Sequence, residues 1–180
     1  LQLRSFRLKF QNEGKVGDQF GRQIESVAAY VPYMTVVGNH EQAYNFSHFI
    51  NRYTMPNSDH NLFYSFDLGV AHFIAFSTEF YYYLKYGSHQ IARQWEWLNN
   101  DLKVADQDRE KRPWIITLGH RPMYCSNFQG DCARYESRVG EVYNGTRSPY
   151  VDPPAPVHVV TGSAVRIQLI PPLGNRIRES

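Results

Sequence analysis

Two short apolar runs in this 180-residue chain end at a glycine and pass directly into a histidine-bearing loop. Tyr33-Met34-Thr35-Val36-Val37 leads into Gly38-Asn39-His40-Glu41, and Trp114-Ile115-Ile116-Thr117-Leu118 leads into Gly119-His120-Arg121-Pro122. These residue types suit metal and phosphate chemistry. Glycine lets the backbone turn sharply and approach a ligand closely. The Asn39 side-chain carbonyl is a hard, neutral oxygen donor. His40, charged below neutral pH, can donate to a phosphate oxygen or protonate a leaving alkoxide. His120, directly after a strand, is a candidate imidazole metal ligand. Each loop alone has a plain alternative: a polar turn with an exposed histidine for the first, and a hydrogen-bonded strand-end histidine for the second. The pairing carries the reading, because ligands collect outside the carboxyl ends of strands in an open α/β sheet.

The elements that must position these loops follow from periodicity. Phe20, Ile24, Val27 and Ala28 fall at helical spacing between Gly17 and Ala29, with Pro32 closing the segment. The runs 33–37 and 114–118 read as buried strands, and 46–53 as a short helix. Leu62–Phe66 and Val70–Phe76 flank Asp67-Leu68-Gly69 as a hairpin. Ser88 is placed to cap a helix whose Ile91, Trp95, Leu98 and Leu102 form one apolar stripe, assigned to core packing. Val157–Thr161 reads as a further strand, and Val165 onward has no convincing period. Strands alternating with helices, then strand pairs, predict an α/β layered domain. His72 and His158 lie in strand patterns and are expected to be hydrogen-bonded there, while His48, His60 and His89 are expected to be solvated.

The bulk properties narrow the function classes. A hydrophobic content of 42% permits a real core, and a net charge of +2 without a clustered basic face gives no reason to propose nucleic acid. No apolar run approaches the roughly eighteen residues of a membrane span. The opening Leu1–Phe10 alternates apolar and charged residues, unlike a signal peptide, and the chain begins at Leu rather than Met. Cys125 and Cys132, in a loop rich in Ser, Asn, Gly and Asp, are either a local disulfide or two free thiols. The sequons at Asn45-Phe46-Ser47 and Asn144-Gly145-Thr146 join them in favouring an extracellular or luminal setting.

At Gly38-Asn39-His40-Glu41 and Gly119-His120-Arg121-Pro122-Met123-Tyr124-Cys125 the sequence resembles the purple acid phosphatases of the calcineurin-like metallophosphoesterase superfamily, within them the animal type 7 group. Ala28–Met34, Phe76-Ser77-Thr78-Glu79 and Pro156–Ala164 extend the likeness. It implies a partial metallophosphoesterase domain over 12–164, a layered β-sandwich flanked by helices, with a break near Gly140. Residues 1–11 are then a divergent stub and 165–180 a tail. It also implies a binuclear centre of iron with iron, zinc or manganese, supplying a hydroxide for in-line attack on phosphate monoesters at acidic pH. Asn39 and His120 map onto ligands of one metal. His40 maps onto the residue that contacts phosphate and assists the leaving group.

The rest of that family's ligand set has no counterpart here. Asp67-Leu68-Gly69 spells its Asp-x-Gly motif, but in the wrong order and as a hairpin turn. Gly17-Asp18-Gln19-Phe20-Gly21 opens like its Gly-Asp-x-x-Tyr motif but has Gly21 where tyrosine is required. The closing Gly-His-x-His motif is absent, since Arg138-Val139-Gly140 runs straight into Glu141-Val142-Tyr143-Asn144. The expectation is a truncated isoform or imperfect gene model with an incomplete site, exposed sheet edges and reduced stability. Two functions compete: an acid phosphatase, and a non-catalytic secreted glycoprotein remnant, since coordination normally takes about four to six donors.

Overall fold

The computed structural model describes residues 14–58, 60–121 and Val157. The chain divides into two compact units, Leu1–Arg121 and Pro122–Ser180, and the elements below belong to the first. Cys125, Cys132, Asn144, His158 and the proposed boundaries near 11, 140 and 164 lie outside the described residues.

Helix α1 (Lys15–Ala28) forms where amphipathic spacing predicts one. Asp18 in its first turn sits at the positive end of the helix dipole and pairs with Arg52 at 2.9 Å. The helix gives way at Ala29, shortly before Pro32, whose ring and missing N–H rule out continuation. Its apolar side is only partly covered: Phe20 packs against the core, while Val27 is 49% exposed.

Tyr33–Val37 is extended and largely buried, but it joins no ladder among the described residues. An apolar run specifies burial. A strand additionally needs a neighbour offering backbone groups in register. Here the Tyr64 hydroxyl donates to the Thr35 carbonyl at 2.7 Å, so a side chain satisfies one of its backbone acceptors.

Helix α2 is short, Ser47–Ile50, and follows three residues held in the left-handed region, Tyr44, Asn45 and Phe46. That backbone costs about 1–2 kcal/mol per residue. Full burial of Phe46 and Phe49, each worth about 1.5–3 kcal/mol, offsets much of it. These two rings, with Val37, Leu62, Phe63 and Phe80, form the main apolar cluster. His48, expected to be solvated, is half-buried and accepts a hydrogen bond from Arg52 at 3.0 Å, whereas His60 and His89 are exposed as expected.

Strands β1 (Tyr64–Leu68) and β2 (Ala71–Ala75) form the predicted hairpin, with Leu68 opposite Ala71 across a two-residue turn. Gly69 occupies the first turn position with φ 58°, a conformation that primed hairpin turns demand. Asp67 is therefore a hairpin residue, paired with His72 at 2.7 Å and Arg112 at 3.1 Å. Strand β3 (Trp114–Leu118) lies parallel to β2, giving a mixed sheet in the order β1-β2-β3. It is not the buried strand its composition suggests. It is the last strand of the sheet among the described residues, with Trp114 63% and Ile116 36% exposed.

Helix α3 (His89–Gln107) provides the β2-to-β3 crossover that a parallel pair requires. Two expectations fail here. Ser88 occupies the cap position without a side-chain cap hydrogen bond. The fully inward line runs through Gln90, Gln94 and Ala105, while Trp95 is 60% exposed. The reason is hydrogen bonding. Gln94 accepts from the Ser77 N–H at 2.7 Å and donates to the Ser77 carbonyl at 2.9 Å, satisfying a buried segment between β2 and the loops. Ile91 and Trp97 still reach the main cluster, Trp97 against Phe63 with centroids 4.9 Å apart.

Candidate functional site

The first loop is closed on itself. The Gly38 N–H donates to Glu41 Oε2 at 2.8 Å, and the Glu41 N–H donates to the Gly38 carbonyl at 3.1 Å. Glu41 is wholly buried, so its carboxylate is committed inward and leaves Asn39 and His40 half-buried at the tip. The Tyr83 hydroxyl donates to the Asn39 backbone carbonyl at 3.3 Å and ties the tip to a distant part of the chain. Nearby Tyr53 has its phenol pushed up to about 12, by burial first and by the Glu41 charge second. It keeps its proton through the physiological range.

The second loop leaves β3 under tight steric control. A Cβ on Gly119 would meet Thr78 Cγ2 at 2.9 Å and Phe76 Cζ at 3.4 Å, so glycine is what lets the chain pass. Arg121 then anchors the exit. Its Nε and Nη2 donate to Glu79 Oε1 and Oε2 at 2.8 and 2.9 Å, and its backbone N–H donates to Thr78 Oγ1 at 3.1 Å. The guanidinium lies over the Tyr82 ring, 3.8 Å from its centroid.

Between these anchors, His120 Nε2 faces Asn39 Oδ1 at 3.2 Å. The Asn carbonyl can only accept, so a hydrogen bond between the two requires the imidazole proton on Nε2. The same two atoms suit neighbouring positions around one ion. Donors each roughly 2.0–2.2 Å from a metal and about 90° apart stand about 3 Å from one another. The pair fits part of a coordination shell and does not complete one: among the described residues no three or more His, Cys, Asp or Glu side chains are grouped to hold a metal. Asp18 and Asp67 are committed to Arg52 and to His72 with Arg112, so the two look-alike motifs have structural roles.

His40 lies beside Asn39 at the loop tip. Asn45 is half-buried, its side-chain carbonyl accepting from Gln90 Nε2 at 3.0 Å. Sequence reasoning gave no role to Glu41, Glu79, Tyr83, Gln94 or Arg121, the groups that hold the loops. One signal was available: a lone carboxylate, Glu79, set against the aromatic run Phe80-Tyr81-Tyr82-Tyr83 needs a partner if buried.

A mixed sheet with flanking helices, whose loops bring an Asn oxygen and a His nitrogen together, is the α/β architecture of a metallophosphoesterase. The chain belongs to the calcineurin-like phosphoesterase family, whose profile matches residues 10–154. Within it the chain is similar to acid phosphatase type 7. It is 44% identical to the Mus musculus protein over 93% of this chain and 48% of that one, and 45% identical to the Homo sapiens protein over 86% and 44%. A phosphoenolpyruvate phosphatase from Allium cepa is 33% identical over 84% of this chain and 39% of that protein. Among solved structures, the purple acid phosphatase PPD1 from yellow lupin seeds superposes with a TM-score of 0.53 at 28% identity, covering 68% of this chain and 23% of that one. The chain thus spans about half the length of the curated relatives it matches. Among the described residues no helix is long and apolar enough to cross a membrane.

Proposed function

We propose that this chain carries part of the site of a metal-dependent acid phosphatase that hydrolyses phosphate monoesters. The observation behind it is the 3.2 Å approach of Asn39 Oδ1 to His120 Nε2 across two loops 81 residues apart. In this reading Asn39 and His120 hold one metal of a binuclear pair, iron with iron, zinc or manganese. Bound metals would supply Lewis acidity and an activated water at acidic pH. His40, beside Asn39, contacts the phosphate and delivers a proton to the departing alkoxide. The setting is secreted or luminal, with glycans at Asn45 and Asn144 and a Cys125–Cys132 disulfide.

The missing ligands are ascribed to an internal skip near Gly140. In support, the match to the Mus musculus relative extends over 209 residues, more than the 180 this chain holds, so it bridges positions absent here. That arrangement also supports a second reading, a non-catalytic glycoprotein remnant, because only two donors converge among the described residues.

Metal analysis of the purified chain, together with hydrolysis of p-nitrophenyl phosphate at mildly acidic pH, separates the two. Two bound metals, with turnover lost in His120→Ala, support the phosphatase. A metal-free chain without turnover overturns it and leaves the remnant.

A further inference from the structure

Resting on the reading of Asn39 and His120 as part of one site, we propose that the Glu79–Arg121 pair is a positioning clamp that presents the His120 imidazole to Asn39. Glu79 is wholly buried and the Arg121 side chain is 11% exposed. A buried ion pair is a poor source of stability, because desolvation consumes much of its Coulomb gain, and apolar residues of similar volume often serve as well. Geometry is what the pair supplies. A two-pronged guanidinium–carboxylate contact fixes both direction and distance, and stacking on Tyr82 fixes the plane of the fork.

The location of the contacts decides what is held. Both chain neighbours of His120 face one stretch: Gly119 has no room for a Cβ beside Thr78 and Phe76, and Arg121 is held by Thr78, Glu79 and Tyr82. The next residue, Tyr83, reaches across to the Asn39 carbonyl. Residues 78–83 therefore hold both loops at once, the His120 loop through a charged fork and the Asn39 loop through a hydroxyl. Displacing this stretch moves the two donor atoms relative to one another.

The test needs neither metal nor substrate. In the isotope-labelled full chain, NMR reads the cross-peak between the His120 ring and the Asn39 side chain, alongside the thermal unfolding midpoint. Arg121→Lys removes the fork, Glu79→Gln removes the charge, and Thr78→Val, close in volume, keeps the ion pair but removes the backbone anchor on Arg121 and the hydroxyl's hydrogen bond to Glu79 Oε1. Loss of the cross-peak is expected in Arg121→Lys and Glu79→Gln, and a weaker one in Thr78→Val. Ser65→Ala, which breaks a bond to Asp101 that involves no clamp residue, is the stability control and should retain it. A cross-peak kept at full strength in the clamp variants, or lost equally in Ser65→Ala, overturns the proposal; should the charge variants fail to fold, Thr78→Val alone decides. As a second readout, Zn2+ affinity is expected to fall roughly tenfold in Arg121→Lys. A parent chain that takes up no Zn2+ counts against the phosphatase reading alone, because the cross-peak is measured without it.

Discussion

Asn39 Oδ1 and His120 Nε2 lie 3.2 Å apart, a contact that as a hydrogen bond requires the ring proton on Nε2. Ligation of a metal through Nε2 requires the proton on Nδ1 instead, so the hydrogen-bonded and ligating tautomers differ. Titrating Zn2+ into the chain is therefore expected to switch His120 from the Nε2–H to the Nδ1–H form, seen in its ring 15N shifts. Removal of the ion by a chelator should reverse the switch. An unchanged tautomer at saturating Zn2+ would remove His120 from the ligand set.

Gly119 is predicted to be intolerant of the smallest side chain. Gly119→Ala puts a Cβ 2.9 Å from Thr78 Cγ2, and overpacking of this kind costs about 1–3 kcal/mol. Thr78→Ser deletes that methyl group and keeps the hydroxyl that anchors Arg121. The double variant should recover much of the loss in urea unfolding, giving a coupling energy of about 1 kcal/mol. Strict additivity would show that the contact is not what constrains Gly119.

Gln94 is predicted to be worth more than any apolar residue on α3. It answers both the N–H and the carbonyl of Ser77 from a wholly buried position. Gln94→Leu leaves both groups unpaired, for a loss of about 2–4 kcal/mol. Trp95→Ala, at 60% exposure, should cost under about 1 kcal/mol. Denaturant midpoints of the two variants check the order, which is the reverse of what hydrophobicity alone would give.

His72 is predicted to make the fold more stable in acid. Its two ring nitrogens face Asp67 at 2.7 Å and Asp101 at 2.9 Å, with Arg112 on the far side of Asp67. Partial burial is the largest single influence and pulls its pKa down. The hydrogen bonds and charges of Asp101 and Asp67 together outweigh it, so the net shift is upward from 6.5. A raised folded pKa means a contribution fully present below pH 6.5 and lost as pH rises through the folded value. The thermal midpoint should accordingly fall between mildly acidic and mildly alkaline pH, and His72→Gln should flatten that part of the profile. A variant with the parent's pH profile would refute the role.

Helix α1, the hairpin and the pairing of the two glycine-led loops were legible because each is written locally. Amphipathic period marks α1, alternation around Asp67-Leu68-Gly69 marks the turn, and a glycine after an apolar run marks each loop. An apolar run favours burial and leaves its surroundings open. Tyr33–Val37 is buried without a ladder partner among the described residues, and Trp114–Leu118 is only partly buried. On α3 the stripe through Trp95 looked inward by composition, yet Gln90 and Gln94 hold the interior because neighbouring groups there need hydrogen bonds.

By itself, the sequence determined which residue types are available for chemistry, Asn39, His40 and His120, and that each stands at the start of a turn that glycine makes possible. It also determined family membership, since a match across residues 10–154 depends only on the order of residues. Tertiary structure gave the expected meeting of Asn39 and His120 its geometry, 3.2 Å between donor atoms, and alone decided what holds them together. Glu41, Thr78, Glu79, Tyr82, Tyr83 and Arg121 act through contacts that mostly span dozens of residues. Such long-range pairings leave no periodic trace in a chain, because packing rather than local spacing selects the partner.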